Sequence, residues 1–410
     1  MKKAYSIFLI AAGIIILSWF LPWLYSIIFP ASVNDPFIAW SPVNDSFIVS
    51  EPAEKGGAIY AVDELGEASS KYSKEDRDSL LPQIYFNQLV AHDKLPDSIN
   101  GKEITIPALK HSQWVFSSLP RDLNKVGAKV YLMMESMPAR FELEDPEVVF
   151  RIKDNSRIEF IDIATNTVNT NKTKRFNEIF TRNGFKYPIK SASADITTRK
   201  PYDEGYLMAD DNGEIYHVKM QAGRPFMVKI NKPDSIIARH LFIMEESDAR
   251  QLGIVSDENH NMYVIEKDGY KLIQLPVGKI DPEKSKLSIV KNMFNWVVKI
   301  NDDNATRWIA LDSDDYSLLG QYSLPYPTLA VETAASYIFP FELTFTSVSD
   351  CVAKPRLSGF SINAIYLNII LAVIMLLLLK GRSSKILIPS AAATLIFGIF
   401  AFIPLILTKE

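Results

Sequence analysis

The sequence predicts a mainly β ectodomain, with the strand pattern of a β-propeller of five to seven blades, carried by three transmembrane α-helices. Three observations predict it. The chain has one long charge-free apolar zone at its N-terminus and two at its C-terminus; three consecutive stretches of the middle superpose strand for strand; and an Asp/Asn-rich turn recurs at the same place in each. A β-sandwich or a stack of meanders uses the same strands and is the alternative.

The apolar zones come first. Ala4 to Pro30 carries no charged residue and exceeds the roughly 20 residues that cross a bilayer as a helix. Met1-Lys2-Lys3 would also suit a signal peptide, but the run is longer than the about 7–15 residues of its apolar region, and no small-residue cleavage pair follows promptly. Trp19, Trp23 and Tyr25 sit where an interfacial aromatic belt belongs. A second span is expected from Ile362 to Leu379 and a third from Ile386 to Leu407. Between them, residues 380–385 (Lys-Gly-Arg-Ser-Ser-Lys) form a short basic loop that the positive-inside rule places in the cytoplasm, as Lys2 and Lys3 place the N-terminus. The parity then agrees. Residues 31–360 lie outside, and Thr408-Lys409-Glu410 end outside as well. The expected organisation is an anchor over 1–30, an extracytoplasmic domain over 31–355 and a helical hairpin over 361–407. The spans hold no ionisable group, so an ion path or proton relay is not expected.

The middle of the chain reads as strands. Ala194–Asn231, His240–Val277 and Lys286–Leu324 each show four short apolar runs separated by turn chemistry. Their second and third runs are joined by Asp210-Asp211-Asn212-Gly213, by Asp257-Glu258-Asn259-His260-Asn261 and by Asp302-Asp303-Asn304. Asp, Asn and Gly suit such turns because they tolerate left-handed backbone and bond their own loops. Asp210, Asp257 and Asp302 are 47 and 45 positions apart, and four strands per 40–50 residues is the period of a propeller blade. Pro36–Ser73 (FIAWS, SFIVSE, GAIYAVDE, GEASSKYS) and Phe150–Val168 offer two further candidates. The strands at Gln113–Ser118 and Lys129–Glu135 belong to no obvious blade.

Three segments stand apart. Residues 72–104 begin with helical character, capped by Ser73 with Asp76 three positions on, and are interrupted by Pro82. They are expected as an insertion packed outside the blades or over one mouth. Asn166–Lys190 is polar and basic, an expected excursion from the sheet. Tyr337–Leu343 is expected as a last propeller strand, with a segment resting on the membrane surface as the alternative.

Motifs for chemistry are scarce. A net charge of −4 supplies no global basic field for nucleic acid. The single cysteine, Cys351, excludes an intrachain disulfide and a cysteine-based zinc cluster, and reads as a passive thiol. His92, His111, His217, His240 and His260 are scattered without metal-ligand spacing, and no nucleophile elbow, P-loop or dinucleotide fingerprint occurs. The acidic turns lack an EF-hand spacing. Asn171-Lys172-Thr173 and Asn304-Ala305-Thr306 match a glycosylation sequon, a pattern common by chance. No cofactor, metal or catalytic residue is expected.

The run from Trp40-Ser41-Pro42 through SFIVS and IYAVDELGE resembles a blade of TolB-like or WD-like propellers. The overall layout, together with LLPQIYFNQLVAHDKLPDSINGKEI at 80–104, resembles a family of bacterial membrane proteins of unknown function associated with ABC transporter genes. One span, a large outer domain and further C-terminal spans also resemble the MacB-type ABC permeases, which have three C-terminal spans where two are expected here. These resemblances imply an inner-membrane protein whose partners are the lipid bilayer and other envelope proteins, ABC transporter subunits among them. The expected function is non-enzymatic binding or scaffolding. An envelope enzyme assembled at a propeller mouth and a ligand sensor are the alternatives.

Overall fold

The computed structural model describes residues 2–31, 35–63, 66–125, 130–153 and 157–408; Met1, Lys129, Lys409 and Glu410 lie outside them. The chain divides into two compact units, one of residues 36–324 and one of residues 1–35 with 325–410.

Helix α1 (Lys2–Ile28) opens the second of these. Its Tyr5–Ile28 portion is long and apolar enough to cross a bilayer, by length and composition.

The larger unit is mainly β. Sheet I is the meander β1 (Phe37–Ser41), β2 (Ser46–Ser50), β3 (Ile59–Val62) and β4 (Ala68–Lys71), the four runs the sequence marks. An insertion follows. Helix α2 (Lys74–Leu80) starts on the expected capping box, Ser73 with Asp76. Pro82 then stands at the first turn of α3 (Pro82–Ala91), where a missing N–H costs nothing. The insertion runs on past residue 104 through the hairpin β5 (Ser98–Ile99) and β6 (Lys102–Glu103), then α4 (Ile106–His111), β7 (Trp114–Ser118) and α5 (Pro120–Leu123).

Sheet II comprises β8 (Val130–Met133), β9 (Val148–Lys153), β10 (Arg157–Asp162) and β11 (Thr167–Val168), so the unassigned strand near 130 finds its place on β9. The polar excursion after it is a helix, α6 (Thr170–Arg182). Asn169 caps it, and Phe176 and Phe180, one turn apart, are buried under it. Sheet III is β12 (Ser191–Ser193), β13 (Tyr206–Ala209), β14 (Ile215–Gln221) and β15 (Arg224–Ile230). Its first strand lies a few residues before the Ile196-Thr197-Thr198 run the sequence suggests. Sheet IV is β16 (Ala238–Ile243), β17 (Gln251–Asp257), β18 (Met262–Glu266) and β19 (Leu272–Gln274). Sheet V is β20 (Lys286–Lys291), β21 (Asn295–Asn301), β22 (Ala305–Asp312) and β23 (Leu318–Pro325), with β7 added antiparallel to β20.

Each sheet shares a core with the next. Phe150, Phe160, Tyr206 and Tyr216 join II to III, and Leu207, Ile230, Leu241 and Val255 join III to IV. Ile254, Val264, Leu287 and Trp296 join IV to V, and Trp40, Phe47, Val297 and Trp308 join V back to I. Strand β13 shows why its sequence is apolar throughout. Tyr206 and Met208 point to sheet II and Leu207 and Ala209 to sheet IV, so both faces are buried and period-2 alternation disappears. Five consecutive meanders with the first seated on the last form a propeller-like succession.

The succession is broken once. Among the described residues no shared core joins I to II. The free face of sheet I is covered by Leu80, Leu81 and Tyr85 of α2 and α3, and the row Leu132–Val149–Ile161–Val168 across sheet II is only partly covered.

The recurring acidic turns are structural. Asp210 Oδ1 accepts from the N–H groups of Asn212 and Glu214, and Asp257 Oδ1 from those of Asn259 and Asn261, each at 2.8–2.9 Å. The tyrosine six positions on, Tyr216 or Tyr263, donates to Oδ2 of the same Asp. Asp302 differs, accepting from Ser285 and Arg307.

In the other unit, α7 (Ala330–Ile338) precedes a hairpin of β24 (Glu342–Thr344) and β25 (Arg356–Ser358), followed by α8 (Ile365–Leu378), α9 (Ser384–Phe397) and α10 (Ile399–Leu407). Tyr337 therefore belongs to a helix and pairs into no propeller sheet. The two expected C-terminal spans are not of full span length. The second is a 14-residue helix, and the third is split at Gly398 (φ +57°) into α9 and α10. The break frees the Leu395 carbonyl, which takes the Asn368 amide at 3.1 Å, and the Asn368 side chain fills the space a Cβ on Gly398 would need. Among the described residues, α1 alone has both the length and the hydropathy for a full crossing.

Candidate binding groove

Sheet I covers sheet V only in part, and a groove remains beside β1. Its floor is the row Val115–Val290–Val297, one residue from each of β7, β20 and β21, in register. One wall is β1, represented by Phe37, Ile38, Ala39 and Trp40 in succession; the other is α3, with Gln83, Ile84 and Phe86. The cavity measures about 340 Å³. Phe37, Ile84, Val115 and Val290 are exposed within it, Val115 to 71%. Four large apolar side chains left in water around one concavity mark a contact surface more than a packing accident.

Two amides make the groove more than apolar. Gln83 Nε2 donates to the Trp40 carbonyl at 2.9 Å, so Gln83 Oε1 is the atom left over, buried and without a partner. Asn292 Oδ1 accepts from the N–H groups of Phe294 and Asn295, so its amide nitrogen donates to Asn295 Oδ1 at 3.1 Å. That leaves Asn295 Nδ2 buried and without a partner. Both residues line the groove and are 3% and 1% exposed. The network fixes which end of each amide is free. A buried polar atom left unmatched costs about 1–3 kcal/mol, which a ligand supplying one donor and one acceptor would recover.

The loops between the first and second strands of sheets II to V carry a chain of charges. Ser136 Oγ donates to Asp203 Oδ2, and Lys200 Nζ lies 2.6 Å from Asp203 Oδ1 and 2.7 Å from Glu245 Oε2. Lys291 Nζ, at the end of β20, reaches Glu246 Oε2 at 2.6 Å, Asp248 Oδ2 at 2.7 Å and Gln251 Oε1 at 2.7 Å. Lys200 and Lys291 are each 3% exposed in their side chains. Burial pushes the carboxyls of Glu245 and Glu246 up to about 7, against the lowering pull of the two lysines. Burial acts the same way on Glu204, but hydrogen bonds from His217, Lys219 and Lys267 outweigh it and hold that carboxyl well below the usual range. This is where a carboxylate-based mouth site would be sought. Each carboxylate in it meets a cation or an N–H through at least one oxygen, as in a latch between sheets, while Glu246 Oε1 is buried without a partner.

The histidines are dispersed, and His260 Nδ1 lies 3.9 Å from Asp281 Oδ1 without a hydrogen bond. His217 is buried between the Glu204 carbonyl and Tyr270 Oη, His240 faces Glu283 at 3.0 Å, and His92 and His111 are exposed at helix ends. Among the described residues no cluster of three or more His, Cys, Asp or Glu side chains is arranged to hold a metal ion. Cys351 is exposed. Sequence reasoning missed Gln83 and Asn295, because nothing in a linear pattern tells an amide bonded at both ends from one bonded at one.

Comparison with solved structures returns propellers. PorZ of Porphyromonas gingivalis, described as an essential bacterial surface component of the type IX secretion system, matches at 11% identity and TM-score 0.22, over 72% of this chain and 33% of that one. The chain thus spans about one third of the length of PorZ. The propeller of Cps50 (Swd1) from Myceliophthora thermophila matches at 6% identity and TM-score 0.26, over 72% of each chain. The WD40 domain of SCAP from fission yeast matches at 7% identity and TM-score 0.28, over 77% of each. At such scores the description of the fold rests on the sheets and shared cores themselves. No curated protein matches the chain. A family model does, across residues 37–311, from the first strand of sheet I to β22 and so across all five sheets. The chain belongs to the family described as domain of unknown function DUF4857.

Proposed function

We propose that this chain is a membrane-anchored, non-enzymatic binding module of the bacterial envelope, and that the groove beside β1 is its binding site. The observation that carries the reading is the pair of buried, unmatched amide atoms, Gln83 Oε1 and Asn295 Nδ2, in a cavity otherwise walled by exposed apolar side chains. Both residues line the cavity, so their free ends set one acceptor and one donor beside the space a ligand would fill. A photo-reactive benzophenone side chain at Val115, in cells carrying the full chain, is expected to give a discrete adduct. The same group at Val43, exposed outside the groove, is expected to give none. Equal labelling from both positions, or none from Val115, would overturn the reading.

The anchoring part of the proposal is the three-span topology, with α8 and the α9–α10 pair crossing as a hairpin behind α1 and residues 31–360 outside. The apolar character of all four helices and the basic loop at 380–385 support it. Cys351, exposed and the only cysteine, is its natural reporter. A membrane-impermeant maleimide is expected to label it in intact spheroplasts, whereas a cysteine introduced at Ser383 in a Cys351→Ser background should react only after permeabilisation. An ABC export system is the partner class we favour, and co-purification of its ATPase or permease with the full chain is the check.

A further inference from the structure

The chemistry of the groove identifies what it takes. Strand β1 pairs with β2 on one side only, and no strand among the described residues pairs with its other edge, which faces the groove. The Trp40 carbonyl points out from that edge, because Gln83 Nε2 binds it there. In an antiparallel pair the backbone groups of alternate residues point to the same side. The outward groups of β1 are therefore those of Trp40 and Ile38, while Phe37, Ala39 and Ser41 bond to β2. Gln83 thus occupies one position of a missing strand, a side-chain amide standing where a backbone N–H would be.

We propose that an extended peptide adds to the free edge of β1 as a further antiparallel or parallel strand. Its backbone would pair with Ile38 and the Trp40 N–H, one side chain would rest on the Val115–Val290–Val297 floor, and a peptide group would match Gln83 Oε1 and Asn295 Nδ2. This rests on the binding reading above and names the ligand class. Three features select it over a small apolar molecule or a charged one. The unmatched atoms are one acceptor and one donor, the complement of a peptide unit. The floor is a strip of valines in strand register, which accepts every second side chain of an added strand. The one charged residue lining the groove, Lys291, has its ammonium group committed to Glu246, Asp248 and Gln251. No counter-ion therefore awaits a chain terminus, and an internal, uncharged segment is what fits. At ~3.3 Å per residue the five-residue β1 accommodates only a short strand, so affinity for the isolated segment is modest and specificity lies in the apolar side chain.

The test uses the full chain in lipid nanodiscs and a capped tripeptide, acetyl-Val-Leu-Val-amide, observed by saturation-transfer NMR. A second tripeptide N-methylated at leucine keeps the apolar surface and loses one backbone donor. The expected result is transfer to the first peptide, at least tenfold weaker for the N-methylated one, and lost in Val115→Trp, which fills the groove from an exposed position and leaves the fold intact. Gln83→Leu should weaken the first peptide selectively. Equal binding of both peptides, or of neither, while the benzophenone at Val115 still gives its adduct, overturns strand addition and leaves the groove as a binding site. Peptide binding unchanged in Val115→Trp overturns both.

Discussion

Replacing Lys291 by methionine removes the cation at the centre of the latch between sheets IV and V. Its ammonium lies 2.6 Å from Glu246 and 2.7 Å from Asp248, and donates to Gln251 Oε1. The Glu246 side chain is 1% exposed and that of Asp248 is 32% exposed, so the loss falls mainly on Glu246. Removing one partner of a buried ion pair costs about 3–5 kcal/mol, because the other charge stays buried. At about 2 °C per kcal/mol for a domain of this size, the melting temperature should fall by about 6–10 °C. The deficit depends on pH. Burial has already raised the Glu246 carboxyl to about 7, so near pH 5 it is protonated in the parent and the lysine neutralises little. At pH 8 it is ionised in the parent, and in the variant its proton is held still more tightly. The penalty should therefore be largest at pH 8 and smallest at pH 5. Trp296, buried in the same core with the Lys291 ammonium 5.8 Å from its ring, becomes a local fluorescent probe of the melt in detergent-solubilised full chain once the other five tryptophans are replaced by phenylalanine. A loss under about 2 °C at pH 8, or one equal at pH 5 and pH 8, would refute the reasoning.

Three further outcomes follow from the same geometry. With folded carboxyls at about 7 against about 4.3 unfolded, Glu245 and Glu246 bind more protons folded than unfolded between those values. They therefore weaken the fold as pH rises through that window, each by at most about 4 kcal/mol; Glu204, shifted the other way, weakens it as pH falls below about 4. Melting of the latch region scanned from pH 4 to 8 should peak near pH 4–5, and a monotonic rise to pH 8 would contradict this. Asp210→Ala removes the acceptor for three backbone N–H groups (Lys186, Asn212 and Glu214) and a tyrosine hydroxyl, Asp257→Ala that for two backbone N–H groups, the Asn261 amide and a tyrosine hydroxyl, and the two should cost a similar amount, about 2–4 kcal/mol, in chemical denaturation. Gly253→Ala places a methyl group against the Leu207 side chain and 2.6 Å from the Phe242 carbonyl, and should lower stability by about 1–3 kcal/mol by the same measurement.

The sheets were legible wherever turn chemistry and apolar runs share a period. Asp210 and Asp257 mark equivalent turns because the same side chain ties the same loop twice, and the tyrosine six residues on repeats with it. Sheet I was legible from FIAWS, SFIVS and IYAV for the same reason. The strand at 114–118 was not assignable, because its partner β20 lies some 170 residues away and nothing local encodes that pairing. Helix α6 was hidden by its polarity: only Phe176 and Phe180 signal a buried side, and eleven polar or intermediate residues surround them. At the C-terminus, hydropathy shows an apolar run but not the break at Gly398, which depends on Asn368 reaching across from another helix.

The groove and the gap in the succession of sheets have one origin. Residues 72–125 enter between sheets I and II, and that is where, among the described residues, no shared core joins neighbours. The same insertion supplies α3, whose Gln83 walls the groove, and β7, whose Val115 extends its floor beyond the area sheet I covers. Without β7 the floor would end at β20, and without α3 the edge of β1 would stand in open water with the Trp40 carbonyl uncapped. Gln113, beside β7, donates to the Gln83 carbonyl at 2.8 Å and ties these two parts together. Repeated sheets supply a rigid frame, and a single non-repeating segment converts one of its seams into a site. Family members that differ in what they bind should therefore differ first between residues 72 and 125, while the latch lysines and turn aspartates, which serve the frame, hold the sheets in place whatever the ligand.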